Sequence, residues 1–257
     1  MNRPILRTQA LSKRFGGLAA VSEVSLELHV GRVHAVIGPN GAGKSTLTNL
    51  ISGDLVPTSG AILYVDADGV EHDLAGMVPE RISQLGIGRS YQKTNIFLPL
   101  TLFENCRLAA QSRLQRPWNW FRSAQQHEDV NQLALRSLAA AGLTERRELL
   151  AHALSHGEQR QLEIAMCLAT SPRVLLLDEP LAGMGPQESQ RIVELIRELT
   201  SAHAILLIEH DMDAVFSVAQ HLTVMVNGEV LASGTPQQVR ESSLVQSAYL
   251  GEEAQHG

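Results

Sequence analysis

An α/β fold is predicted: a parallel sheet covered by helices on both faces, preceded by an antiparallel β start and interrupted by a helical insertion. Three observations predict it. From Arg173 onward "RVLLLDEP", a helix over Pro186 to Leu199, "AILLIEH" and a helix over Met212 to Val218 alternate, the order that builds a parallel sheet. Residues 5 to 36 instead carry β-rich segments such as "SLELHV" with a Gly31–Arg32 turn before "VHAVI". Residues from about 101 to 170 turn to Leu, Ala, Gln and Arg at helical spacing.

Taken in order, the buried strand "VHAVI" runs into a glycine-rich loop and a helix over Lys44 to Ser52. The segment "AILYVDADGVEHDL" then turns at Asp68–Gly69 as a hairpin, and a strand-like stretch ends in "GIGRSYQK". Helical patterns follow in "LTLFENCRLAAQSRL" and "EDVNQLALRSLAAAGL". Between them "QRPWNWFRSAQQ" holds both tryptophans, Trp118 and Trp120, either tucked against the insertion or forming a contact surface. A helix over Gln161 to Thr170 closes the insertion. Asn227–Gly228 in "LTVMVNGEVLASG" reads as a type I′ turn.

The 257 residues, 44% of them hydrophobic, suffice for a buried core. A net charge of −6 with no basic block argues against a nucleic-acid binder working by phosphate neutralisation. Two cysteines, Cys106 and Cys167, are too few for a disulfide framework and read as apolar packing residues. The opening residues lack a signal-peptide pattern, so export is not expected. The longest apolar runs fall short of the roughly 18 residues needed to span a bilayer.

"GPNGAGKST", Gly38 to Thr46, matches the phosphate loop G-x-x-x-x-G-K-[ST] between a strand and a helix. Its glycines let amides wrap phosphates, Lys44 reaches the outer phosphates and Ser45 can ligate Mg²⁺. In "VLLLDEP", Asp178 and Glu179 follow an apolar strand at the sheet edge where ligands bind. Asp178 is the expected magnesium ligand and Glu179 the group that poises water. His210 ends the second apolar strand and is assigned a hydrogen bond to the γ-phosphate that also orients Glu179. The Gln92 amide can reach Mg²⁺ or the attacking water. In "LSHGEQ", residues 154 to 159, Ser155 and Glu158 have capping-box spacing and Gly157 leaves room for a ligand at a helix N-terminus.

The order phosphate loop, Gln92, "LSHGEQ", "LLLDEP" and His210 resembles the ATP-binding subunits of ABC transporters over nearly the whole chain. The resemblance implies a P-loop NTPase (RecA-like) core with an N-terminal antiparallel β-subdomain and an inserted α-helical subdomain. Residues 1–257 would form one domain, with 1–92 and 171–257 as core and β-subdomain and 93–170 as the helical subdomain. It further implies ATP hydrolysis with Mg²⁺ held at Ser45, Gln92 and Asp178. Gly38, Asn40, Gly41, Gly43, Lys44, Ser45 and Thr46 would hold the phosphates. Phe15 in "SKRFGG" stands where the adenine-stacking aromatic lies, with core packing as the alternative. "LSHGEQ" stands where the family signature does, so Ser155, Gly157 and Glu158 would contact ATP held by a second cassette. His156 replaces a signature glycine, and "PLAGMGP" lacks an aspartate near Gly185 that many members use across the dimer.

Implied partners are integral membrane permeases, a second ATP-binding subunit, like or unlike, and indirectly a periplasmic solute-binding protein. The implied location is peripheral, on the cytoplasmic face of the inner membrane. "FGGLAAVSEVSLEL", "RSYQKTNIF", "EPLAGMGP" and "VQSAYLGEE" resemble the group powering uptake of branched-chain amino acids. Urea or amide importers and the ATPase of lipopolysaccharide export share much of that pattern. ABC-type ATPases of DNA repair or translation usually add a second cassette, coiled coils or basic surfaces, which this sequence lacks.

Overall fold

The computed structural model describes residues 3–90, 95–114 and 128–247. Gln92, Trp118 and Trp120 lie outside the described residues. Two sheets form. The first joins β1 (Leu6–Phe15), β2 (Leu18–Val24), β5 (Ser59–Val65) and β6 (Glu71–Asp73) in the order β2-β1-β5-β6, with β3 (Glu27–Leu28) also on β1; all its pairings are antiparallel. The second contains β4 (Arg32–Ile37), β7 (Ile87–Ser90), β8 (Val174–Asp178), β9 (Ala204–Ile208), β10 (His221–Val226) and β11 (Glu229–Gly234) in the order β11-β10-β4-β9-β8-β7. It is parallel apart from β11, which returns on β10 through Asn227 and Gly228. Both turn residues have positive φ, 50° and 83°, as the type I′ geometry requires.

Helices that carry the site or pack on the sheets include α1 (Lys44–Ile51), α2 (Pro79–Leu85), α5 (His156–Ala169), α6 (Pro186–Thr200), α7 (Met212–Val218), and in the insertion α3 (Leu102–Leu114) and α4 (Glu128–Ala140). Alternation along the strands divides the core. Val33, Ala35 and Ile37 of β4, with Leu175 and Leu177 of β8, face a cluster that includes α3, α4, α5 and α6. Val36, Leu176, Leu206 and Ile208 face the other way, onto Leu47, Leu50 and Ile51 of α1 and the first sheet. Burial on both faces accounts for strands that read as unbroken apolar runs.

One boundary differs from expectation. The sequence places the start of the signature helix at Gln161, whereas α5 begins at His156. The polar "HGEQ" is its first turn, because the Ser155–Glu158 capping box starts the helix with polar groups that need not follow the apolar period. Cys106 and Cys167 are buried, and burial pushes both thiols up to about 12, consistent with packing roles.

His34 departs from the apolar strand pattern. Its Nδ1 lies 2.9 Å from the Glu27 carbonyl and its Nε2 2.8 Å from Thr223 Oγ1, and burial pushes its pKa down to about 4. His29 and His221 also oppose its charging. The folded state keeps it neutral while the unfolded chain protonates it near 6.5, so its contribution is complete above that pH and is lost as pH falls toward 4. Between about pH 7.5 and about pH 5, urea denaturation is expected to read roughly 2 kcal/mol of lost stability from this residue. His34→Gln should flatten that slope, and an equally steep slope in the variant would refute the assignment.

Candidate nucleotide site

Strand register brings the motifs to one edge. Ile208 of β9 pairs with Asp178 of β8 on one side and with Val36 of β4 on the other. Three chain segments therefore leave the sheet side by side: the phosphate loop after Ile37, Glu179 after Asp178, and Glu209–His210 after Ile208. Ser90, the last residue of β7, pairs with Leu177 of β8, so β7 ends at the same edge.

The loop is fixed by backbone packing. At Gly38, φ is 152°, and a Cβ would lie 2.1 Å from the Met225 carbonyl oxygen. At Gly43, the N-cap of α1, φ is 99°, and a Cβ would lie 2.3 Å from the Ala20 carbonyl oxygen. No side chain caps α1, which leaves its first amides facing the loop. Lys44, almost buried, folds its ammonium back onto the Gly38 and Pro39 carbonyl oxygens at 2.5 and 2.9 Å. Asn40, Gly41 and Ser45 are exposed at the loop surface, and Thr46 is half-buried. Phe15 is 48% exposed, with Lys13 Nζ 5.2 Å from its ring centroid. That exposure disposes of the core-packing alternative and leaves a ring free to stack.

Asp178 has two differently used oxygens. Oδ2 accepts from Arg89 Nη2 at 3.1 Å, and Oδ1 is buried with no hydrogen-bond partner among the described residues. Desolvation raises its pKa, partly offset by the Arg89 guanidinium. The unpartnered buried carboxylate oxygen of Asp178 and the exposed Ser45 hydroxyl on the loop are hard oxygen donors of the kind that suits Mg²⁺, so the residues present fit the metal. Arg89 Nη1 also donates to Asn49, Ser52 and Asp54 at 2.6 to 2.8 Å, tying Asp178 to the far end of α1.

Glu179 takes φ 47°, a conformation a non-glycine residue adopts only when held. Its N–H donates to the Ile208 carbonyl at 2.9 Å, and its carbonyl accepts from Arg160 Nη2 at 2.9 Å. The His210 side chain, at the same edge, is 66% exposed, and its Nδ1 lies 3.7 Å from Glu209 Oε2. The fully buried Glu209 accepts from the Leu181 and His210 amides at 2.8 and 3.1 Å. It thereby holds the backbone on either side of the edge. Burial raises its pKa.

At the N-terminus of α5, Ser155 Oγ accepts from the Glu158 amide at 3.3 Å and Glu158 Oε2 accepts from the Ser155 amide at 3.0 Å, a complete capping box. Glu158 also pairs with Arg146. The other capacity of this end is taken by Glu188 of α6: its Oε1 accepts from Ser155 Oγ at 3.0 Å and from the Gly157 amide at 3.3 Å. Donation by Ser155 is the main cause that lowers the Glu188 pKa. Ser155 and Gly157 thus form an anion site whose occupant is a carboxylate of the same chain.

Sequence reasoning missed Arg89, Arg160, Glu163, Glu188 and Glu209. Only Glu209 offered a hint, since a carboxylate directly after five apolar strand residues has little chance of reaching water.

A family model described as ABC transporter matches residues 21–182, and one described as branched-chain amino acid ATP-binding cassette transporter matches residues 229–255. The chain is 40% identical over 261 residues to the high-affinity branched-chain amino acid transport ATP-binding protein LivG of Escherichia coli K12, covering 98% of this chain and 100% of that one. It is also 40% identical over 259 residues to the corresponding protein BraF of Pseudomonas aeruginosa, with the same coverage. Among solved structures, the ADP conformation of an ATP-binding cassette of an ABC transporter superposes with a TM-score of 0.85 at 30% identity, covering 97% of this chain and 100% of that one. A nucleotide-free cassette superposes with a TM-score of 0.83 at 30% identity, covering 96% and 99%. The chain belongs to the ATP-binding cassettes of ABC transporters, ATPases coupled to transport.

Proposed function

We propose that this chain powers uptake of branched-chain amino acids as one of a pair of cassettes seated on membrane permeases at the cytoplasmic face, fed by a periplasmic solute-binding protein. The observation that carries the solute class is the match of residues 229–255 to the branched-chain cassette model, together with full-length similarity to LivG and BraF. Among the described residues no helix is long and apolar enough to cross a membrane, so the permeases supply the path.

In this reading ATP lies with adenine on Phe15 and its phosphates on the amides of Gly38 to Thr46. Lys44 releases the Gly38 and Pro39 carbonyls to pair with the outer phosphates. Ser45, Asp178 and Gln92 would hold Mg²⁺, which supplies charge neutralisation across the outer phosphate oxygens. Glu179 accepts a proton from the water that attacks the γ-phosphate, and His210, exposed at the sheet edge, donates to the γ-phosphate. Ser155 and Gly157 give their donors to the ATP of the opposing cassette once Glu188 withdraws.

Uptake of labelled solutes tests the reading. Cells lacking the chain are expected to lose leucine, isoleucine and valine uptake, restored by the wild-type chain and not by Lys44→Ala. Intact branched-chain uptake with loss of urea or amide uptake would overturn the solute assignment.

A further inference from the structure

A buried ion pair on the signature helix reaches the main chain that carries Glu179. Arg160 and Glu163, one turn apart on α5, are each 7% exposed and joined Nη1 to Oε2 at 2.5 Å. Two of its nitrogens also donate to main-chain carbonyl oxygens. Nη2 donates to Asp178 at 2.8 Å and to Glu179 at 2.9 Å, and Nε donates to Pro180 at 3.4 Å. The second oxygen of Glu163 accepts from the Asn95 amide at 2.9 Å, just beyond the segment that holds Gln92.

Buried ion pairs cost desolvation and are weak stabilisers compared with apolar packing, so stability alone does not account for this one. Three consecutive carbonyls converge on one guanidinium because the chain turns sharply there, with Glu179 at φ 47°. The direction of the Glu179 carbonyl fixes its peptide plane and hence where its side chain leaves the backbone. Arg suits the task, since its planar fork offers several donors in fixed geometry and stays charged when buried.

We propose that Arg160 is a positioning residue for Glu179, held in register by Glu163 and through it by Asn95. The guanidinium keeps the Asp178–Pro180 turn in the conformation that presents the Glu179 carboxylate to water. The Glu163–Asn95 contact makes that conformation depend on where the chain enters the helical insertion. This rests on the reading of Glu179 as the general base.

The full chain carrying Arg160→Met with Glu163→Leu loses both charges together and keeps apolar volume, which favours retention of the fold. It is expected to bind MgATP as the wild type does, while kcat falls about 10- to 100-fold, the scale of a misplaced reacting group. Glu163→Gln preserves shape and an acceptor for Asn95 and removes only the charge that orients Arg160. It should lower kcat in the same direction with KM for ATP unchanged, and it decides the matter if the double variant does not accumulate as folded protein. A merely structural pair would lower thermal stability and leave kcat per folded molecule intact, and that result overturns the proposal, as does parallel loss of binding and turnover. Glu179→Gln is measured alongside. Full turnover in that variant defeats the general-base reading itself, whereas an inactive Glu179→Gln beside a fully active double variant defeats the positioning role alone.

Discussion

Glu179→Gln is expected to lose turnover by a factor of roughly 10² or more, the usual contribution of a general base, while MgATP binding persists. The substitution is isosteric and leaves the backbone contacts of the turn, Ile208 on one side and Arg160 on the other, where they are. It also removes a negative charge whose proximity raises the Asp178 pKa. Asp178 is then more easily ionised, which favours the Mg²⁺ proposed there. Hydrolysis stops with the nucleotide bound, and ATP should accumulate a closed dimer visible by size-exclusion chromatography. Undiminished phosphate release by the folded variant would remove Glu179 from the role. Weakened MgATP binding would show instead that its carboxylate serves the metal.

The motifs were legible because each is local. The phosphate loop is nine consecutive residues, and Asp178–Glu179 directly follows an apolar run. The fold followed from periodicity for the same reason: strands buried on both faces read as unbroken apolar runs, and β1 to β3 as β-rich segments. What stayed illegible depends on contacts between residues distant in sequence. Arg89 is joined to Asp178 across 89 positions, Ser155 to Glu188 across 33, and Glu163 to Asn95 across 68. Arg89, Glu188 and Glu163 each read as an ordinary polar position on their own elements. The early start of α5 was hidden for another reason: a capped first turn is stabilised by polar groups, so the apolar pattern does not extend to it.

Ser155→Arg is expected to leave nucleotide binding by the single chain intact and to abolish ATP-driven pairing. The phosphate loop lies on other elements, and the contacts of Ser155 are with Glu158 and Glu188, so loss of the serine removes a cap worth about 1 kcal/mol and little else from the isolated fold. In the closed pair proposed above, a bulky cation would replace the hydroxyl assigned to the opposing γ-phosphate. In the Glu179→Gln background the double variant should elute as a monomer at ATP concentrations that pair the parent completely. Persistent pairing would contradict the composite site, and equal loss of single-chain binding would place Ser155 at its own nucleotide. The opposite substitution sharpens the comparison. Glu188 is an anion already seated on Ser155 Oγ and Gly157 N–H, so an incoming phosphate competes with it for the same two donors. Glu188→Gln leaves a neutral, weaker acceptor there. Pairing should then occur at lower ATP than in the parent, which links the two variants by sign: one blocks the anion site and the other frees it.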